Sequence, residues 1–347
     1  MMTLTNLRGW RLATAGACVI ALGAGVAAQT MQINGAGATF PYPIYSKWFS
    51  EYNKLKPNVQ INYNSIGSGG GIRQLQNQTV FFGATDGPMT NDQLAAAPGR
   101  ILHFPTVLGS VVPIYNLTGL SAELKFTGPL LADIFLGKVT KWNDPAIAKV
   151  NAGVALPNKD ITVVHRSDGS GTTYVWVDYL AKVSAEWKQR VGVATSVNWP
   201  VGLGGKGNEG VAGLVKQTDG AIGYVEPVFA TQNKIPYGAV QNAGGVFVKS
   251  SIAAVTAAAA SAATQMPADF RVSITNPPGR EAYPIASFTW MLLYENPSDK
   301  ARSRTMVEFM QWALTDGQKF AADLGYSPLP AAVVKLELEA LKKVKVQ

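Results

Sequence analysis

The stretch INGAGATFPYPIYSKW, residues 33–48, sets the reading of the whole chain. Gly35, Ala36, Gly37 and Ala38 leave little side chain around the backbone. Pro41 and Pro43 lack an N–H and suit the opening turn of a helix, where that N–H has no partner. Aromatic residues then recur at helical intervals, at Tyr42, Tyr45, Trp48 and Phe49. The stretch reads as a loop that bares backbone donors at a helix N-terminus.

Strand and helix patterns alternate on either side of it. VQINYNSI (59–66) has the two-residue period of a strand, GIRQLQNQTV (71–80) reads as a helix, and FFGATD (81–86) as the next short strand. DITVVHRS (160–167) and GAIGYVE (220–226) read as strands, and TTYVWVDYLAKV (172–183) as a helix. The Ala-rich run 252–263 reads as a helix, 300–326 as one long helix ended by Gly325, and Pro330 as the opening of a last amphipathic helix. Such alternation predicts α/β architecture with helices covering the sheets. Two long β-like runs, 101–116 and 283–295, are candidates for crossings between domains. The expected division is residues 29–106 with 287–347 in one discontinuous lobe, and 107–286 in the other.

Length and composition agree with two packed domains. The chain has 347 residues, 47% hydrophobic and 15% charged, which excludes a disordered polyelectrolyte. Residues 1–28 read as an export signal, with Arg8 and Arg11 ahead of an apolar run from Leu12 to Ala28 and small residues before a cut at Gln29. The alternative is an N-terminal membrane anchor, because the run is just long enough to span a bilayer. Cys18, the only cysteine, lies in this segment, so the mature chain carries no thiol or disulfide chemistry. Removing the two signal arginines takes the net charge from +8 to 8 − 2 = +6. The basic residues are scattered rather than striped, so nucleic-acid binding is not expected, whereas a mild positive field helps to collect small anions.

The opening loop has two counterparts. IGSGGGIRQL places Ser68 and four glycines between a strand and a helix, and HRSDGSGTTYVW places Arg166, Asp168, Ser170, Gly171 and Thr172 at another such junction. A helix N-terminus leaves orphan N–H donors and a partial positive charge, and together they attract an anion. One such loop is ordinarily only a cap. Three in one chain, one with an arginine, favour an anion held from several sides. GLGGKGNEG (202–210) is no nucleotide loop, since Gly207 follows Lys206 where Ser or Thr is required. Asp86, at the end of its strand, is the discordant residue: alone it reads as a turn or cap. In an anion site it is tolerable only if the ligand brings a proton. Hydrogen phosphate does and sulfate does not, so the carboxylate would act as a selectivity device. A hydrolase using Ser170 as nucleophile would need an activating base or a metal. The chain has only His103 and His165, both read as structural, and shows no metal-ligand spacing.

NGAGATFPYPIYSKW, NSIGSGGGIRQ, FFGATDGPMT, RSDGSGTTYVW, WPVGLGGKGNEGV and GAIGYVE, in this order, resemble the periplasmic phosphate-binding proteins of phosphate-specific ABC transporters. The similarity runs from about Ile33 to Val334. It implies a two-lobed, hinged α/β fold of the periplasmic-binding-protein type, which closes on inorganic phosphate outside the cytoplasmic membrane and delivers it to transmembrane permease subunits. A periplasmic monomer without enzymatic activity, cofactor or metal is expected. By motif, phosphate would be held by Thr39, the Phe40 backbone N–H, Ser68, Arg166, Ser170, Gly171 and Thr172. Asp86 would accept the ligand's proton, and Asp168 would orient the Arg166 guanidinium. Two departures from the family pattern are Phe81, where many members have Asp, and Gly71, which lengthens the glycine run.

Overall fold

The computed structural model describes residues 30–263 and 266–347. The expected export signal, with Cys18, lies outside the described residues. The first sheet is five-stranded and orders Val59–Ser65 (β2), Met31–Gly37 (β1), Phe82–Thr85 (β3), Ala286–Tyr294 (β12) and Ile101–Ser110 (β4). β1 pairs in parallel with β2 and β3, while β12 runs antiparallel between β3 and β4. A four-stranded sheet orders Val112–Tyr115 (β5), Ala221–Val225 (β9), Thr162–Arg166 (β7) and Leu203–Gly205 (β8). A small third sheet joins Phe247–Val248 (β11), Ala239–Gln241 (β10) and Lys125–Phe126 (β6). The two larger sheets belong to two lobes.

The connection between the lobes is short. β4 ends at Ser110, a single residue follows, and β5 begins in the other sheet. The returning chain passes beside it: the Val111 N–H donates to the Ile285 carbonyl at 2.9 Å, just before β12. The two crossings thus run side by side between the sheets.

In the first lobe the helix Tyr42–Leu55 buries Tyr45, Trp48, Phe49 and Tyr52 and leaves Tyr42 40% exposed, as the aromatic spacing requires of an amphipathic helix. In the second, Trp142, Trp176, Trp187 and Tyr224 are fully buried. The helix expected at 71–80 instead spans Ser68–Gln76, so Ser68 opens it. Its early start depends on Gly71, where a Cβ would stand 2.4 Å from the Gly37 Cα and 2.5 Å from the Ala36 oxygen; only glycine lets this turn lie on β1. Gln78, at φ 55°, turns the chain out of the helix well before Val80. Phe81 is half-buried just ahead of β3.

The long C-terminal helix is also corrected. It runs Lys300–Leu314 and then breaks into the 3-10 turns Asp316–Phe320 and Ala322–Leu324, with Gly325 at φ 80°. The break has a partner across the lobe, because the Trp48 Nε1–H donates to the Gly317 carbonyl at 2.8 Å. Helices Ile252–Ala263 and Ala331–Leu341 stand where the sequence indicates.

Candidate functional site

The three loops converge. β1 feeds Thr39 and Phe40, β2 leads to Ser68, β3 ends beside Asp86, and β7 ends at Arg166, ahead of the helix Gly171–Val183. A Cβ on Gly171 would stand 2.4 Å from the Ser68 Oγ and 2.5 Å from the Asp86 Oδ2, so the start of a second-lobe helix lies against two first-lobe residues. The Gly69 N–H donates to the Gly169 carbonyl at 2.8 Å across the same seam. All nine sequence-indicated residues, Asp168 included, lie in this region, and every one except Asp168 is nearly or wholly inaccessible to solvent.

The hydroxyl groups share one polarity. The Thr39 Oγ1 accepts from the Asn208 N–H (3.3 Å) and from Asn208 Nδ2 (2.7 Å). The Thr172 Oγ1 accepts from Asn208 Nδ2 (3.1 Å) and from an Arg166 NH1 donor (3.4 Å). The Ser68 Oγ accepts from the Asp86 N–H (3.3 Å), and Ser170 caps its helix by accepting from the Thr173 N–H (3.0 Å). Each oxygen has given lone pairs to a donor, which leaves its own proton for something else. None of these four hydroxyls donates to a protein group among the described residues. The buried Phe40 N–H likewise has no protein acceptor there, although the Phe40 carbonyl accepts from the Tyr326 hydroxyl at 2.6 Å.

Arg166 supplies charge. Its side chain is 1% exposed and forms a fork with Asp168, Nε to Oδ1 at 2.7 Å and NH2 to Oδ2 at 2.5 Å. Burial works to raise the Asp168 pKa, but the Arg166 hydrogen bonds and charge outweigh it and hold the carboxyl below its ordinary range. The Gly207 N–H adds a bond to Asp168 Oδ1 at 3.1 Å. The guanidinium is thereby fixed in direction with NH donors to spare.

Asp86 stands as an acceptor among these donors. Its Oδ1 takes the Thr289 hydroxyl at 2.8 Å, while its Oδ2 is buried with no partner. Burial pushes this carboxyl up to about 7, against the Thr289 hydrogen bond and the Arg166 charge. The arrangement therefore offers many N–H and O–H donors, the Arg166 cation and the unpartnered Asp86 Oδ2, inside a buried seam between the lobes; Glu226, whose Oε1 is also buried without a partner, lies within the field of Asp86. It can hold a small oxyanion that carries one proton.

Neither histidine takes part. His165 points to the opposite face of β7 and stacks on Trp199, with centroids 4.7 Å apart. His103 is buried, accepts from the Met89 N–H at 3.1 Å, and is pushed down to about 3 by burial. Among the described residues no cluster of His, Cys, Asp and Glu is placed to hold a metal.

Sequence reasoning missed Asn208 and Thr289. Asn208 lies in the first turn of Gly207–Gln217 and has an available signal: GLGGKGNEG is a fourth glycine-rich helix start, and rejecting it as a nucleotide loop hid its asparagine. Its Oδ1 accepts from the Glu226 N–H at 3.1 Å, so the amide is held with its NH2 towards Thr39 and Thr172. Thr289 sits mid-strand and has no local signal.

This architecture, with candidate binding groups drawn from both lobes onto one seam, is that of a two-lobed solute-binding protein, and residues 23–317 match the family model described as the PBP superfamily domain. Within that class the chain belongs to the family of phosphate-binding proteins named PstS. It is 49% identical over 313 residues to the phosphate-binding protein PstS of Xylella fastidiosa (strain 9a5c), covering 90% of this chain and 85% of that relative. It is 47% identical over 320 residues to PstS of Pasteurella multocida (strain Pm70), covering 92% of each. The fold matches the crystal structure of a phosphate-binding protein from Stenotrophomonas maltophilia with a TM-score of 0.69 at 20% identity, covering 89% of this chain and 93% of the other.

Proposed function

We propose that this chain binds inorganic phosphate, as hydrogen phosphate, outside the cytoplasmic membrane and delivers it to the transmembrane permease subunits of an ABC transporter. The observation that carries the reading is the pairing of the buried, unpartnered carboxylate oxygen of Asp86 with four hydroxyls polarised as donors. Hydrogen phosphate matches that set, since it has oxygens for every donor and one O–H for Asp86. In this reading Thr39, Ser68, Ser170 and Thr172 donate through their hydroxyls, and Phe40 and Gly171 through their backbone N–H groups. Arg166 supplies the compensating charge, and Asp168 orients it.

Binding without turnover is part of the same proposal: each histidine is engaged away from Ser170, and no cofactor or metal is called for. A periplasmic, monomeric protein is supported by the signal-like residues 1–28 and by the family. No described helix is long and apolar enough to cross a membrane. The lobe division at 29–106 with 287–347, and 107–286, is proposed with it, supported by the change of sheet beside Val111. Ligand-dependent closure would take place about these crossings. Equilibrium dialysis with radiolabelled phosphate tests binding, and uptake from limiting phosphate in cells lacking the chain tests delivery. Normal uptake in those cells would remove the transport role.

A further inference from the structure

We propose that Thr289 sets the anion selectivity of the site: its hydroxyl claims one carboxylate oxygen of Asp86 and holds the other towards the second lobe as a pure acceptor. This rests on the phosphate reading above and deepens it.

Thr289 lies on β12, between β3 and β4, at the one place where the register of β12 against β4 shifts, between Thr289 and Trp290. An irregularity of this kind re-aims a side chain. Here the Thr289 Oγ1 reaches Asp86 Oδ1 at 2.8 Å, while the Thr85 carbonyl, its other neighbour, is 3.4 Å away. The hydroxyl has a single proton, and the shorter contact to a carboxylate takes it. The strand is held in place behind it, because the Thr289 carbonyl accepts from the Thr106 hydroxyl (3.0 Å), which is within 2.8 Å of the Tyr45 hydroxyl. With Oδ1 engaged by Thr289 and its backbone N–H donated to the Ser68 hydroxyl at 3.3 Å, Asp86 is held by both side chain and backbone. Its Oδ2 then faces the start of the helix Gly171–Val183.

The consequence concerns protonation as well as direction. A buried carboxyl is driven towards its neutral form, and a neutral carboxyl donates a hydrogen bond. A donor at this position would welcome sulfate. The charged groups that act on Asp86 are Arg166, which favours the carboxylate, and Glu226, which disfavours it; Tyr45, Tyr63 and Tyr326 also lie within its field. The Thr289 bond is the largest influence opposing burial. Losing it leaves Asp86 neutral to higher pH and free to turn.

The test is competition by sulfate against bound phosphate across a pH series, for the unaltered protein, Thr289→Val, Thr289→Ser and Asp86→Asn. Thr289→Val keeps the shape and removes the hydroxyl. It should let sulfate compete about ten- to a hundred-fold better at mildly alkaline pH, where the unaltered carboxyl is ionised, the worth of one hydrogen bond to a charged group. The pH at which sulfate begins to compete should also move upward. Thr289→Ser retains the hydroxyl and should restore the unaltered behaviour. Thr289→Ala replaces the valine variant if that fails to fold. Unchanged sulfate exclusion and pH profile in the hydroxyl-less variant would overturn the proposal. So would parallel weakening of both anions at every pH, which marks a merely structural residue. Sulfate exclusion by Asp86→Asn equal to that of the unaltered protein would instead refute the underlying role of Asp86.

Discussion

Replacing Arg166 with alanine removes a buried cation from the seam. The guanidinium is 1% exposed, and its Nε and NH2 are committed to Asp168. NH1 is 3.4 Å from the Thr172 oxygen and retains hydrogen-bonding capacity. Three losses therefore coincide in Arg166→Ala. The ligand loses charge-assisted hydrogen bonds, Thr172 loses one of the donors that polarise it, and Asp168 becomes an uncompensated, half-buried carboxylate beside an anion. Truncating one member of a buried, hydrogen-bonded charge pair costs roughly 2–5 kcal/mol, so phosphate affinity should fall by about 30-fold to several thousand-fold. Arg166→Lys keeps the charge but loses the planar fork to Asp168, and should fall between the two. Isothermal titration of each variant with phosphate, beside thermal unfolding to confirm the fold, measures this. A loss under about threefold for Arg166→Ala in a folded protein would place Arg166 outside the binding machinery and refute the reasoning.

Asp86→Asn removes the charge and adds an N–H donor at this acceptor, so competition assays should show a narrower phosphate-over-sulfate preference, chiefly because sulfate is admitted. Asn208→Ala strips donors from Thr39 and Thr172, which belong to different lobes, and strands the Glu226 N–H; stopped-flow binding should show affinity reduced by about ten- to a hundred-fold, mostly as faster dissociation, and an unchanged off-rate would contradict that role. Glu337 on Ala331–Leu341 is fully buried with both carboxyl oxygens unpartnered, and burial pushes its pKa well above the ordinary value. The folded state then holds a proton that the unfolded state releases above its ordinary pKa, so this group lowers stability as pH rises. Glu337→Met should accordingly raise stability in urea unfolding by roughly 1–3 kcal/mol at mildly alkaline pH and by less in acid, and a gain independent of pH would rule out ionisation as the cause.

Much of this was legible in the chain because the signals are local. A glycine-rich turn between a period-two run and an apolar helix declares both the α/β fold and an anion-binding helix start, and three such turns can be seen without knowing where they meet. What sets Asp86 apart from an ordinary turn residue is not local. It depends on Thr289, more than two hundred positions away in sequence (|i−j| of 203), and on Gly171 arriving from the other lobe. Asn208 was hidden in the same way, since its two hydroxyl partners lie 169 and 36 positions away. The break at Thr315 illustrates the converse, tertiary override of a helical pattern: the apolar period continues to Gly325, but the Trp48 indole captures the Gly317 carbonyl from another helix.

The most direct measurement of the central claim is calorimetric titration of the phosphate-free protein with phosphate and, separately, with sulfate at neutral to mildly alkaline pH and physiological salt. A single saturable site for phosphate, with no saturable heat from sulfate, is the expected result. No binding of phosphate, or sulfate bound as tightly as phosphate, would contradict it.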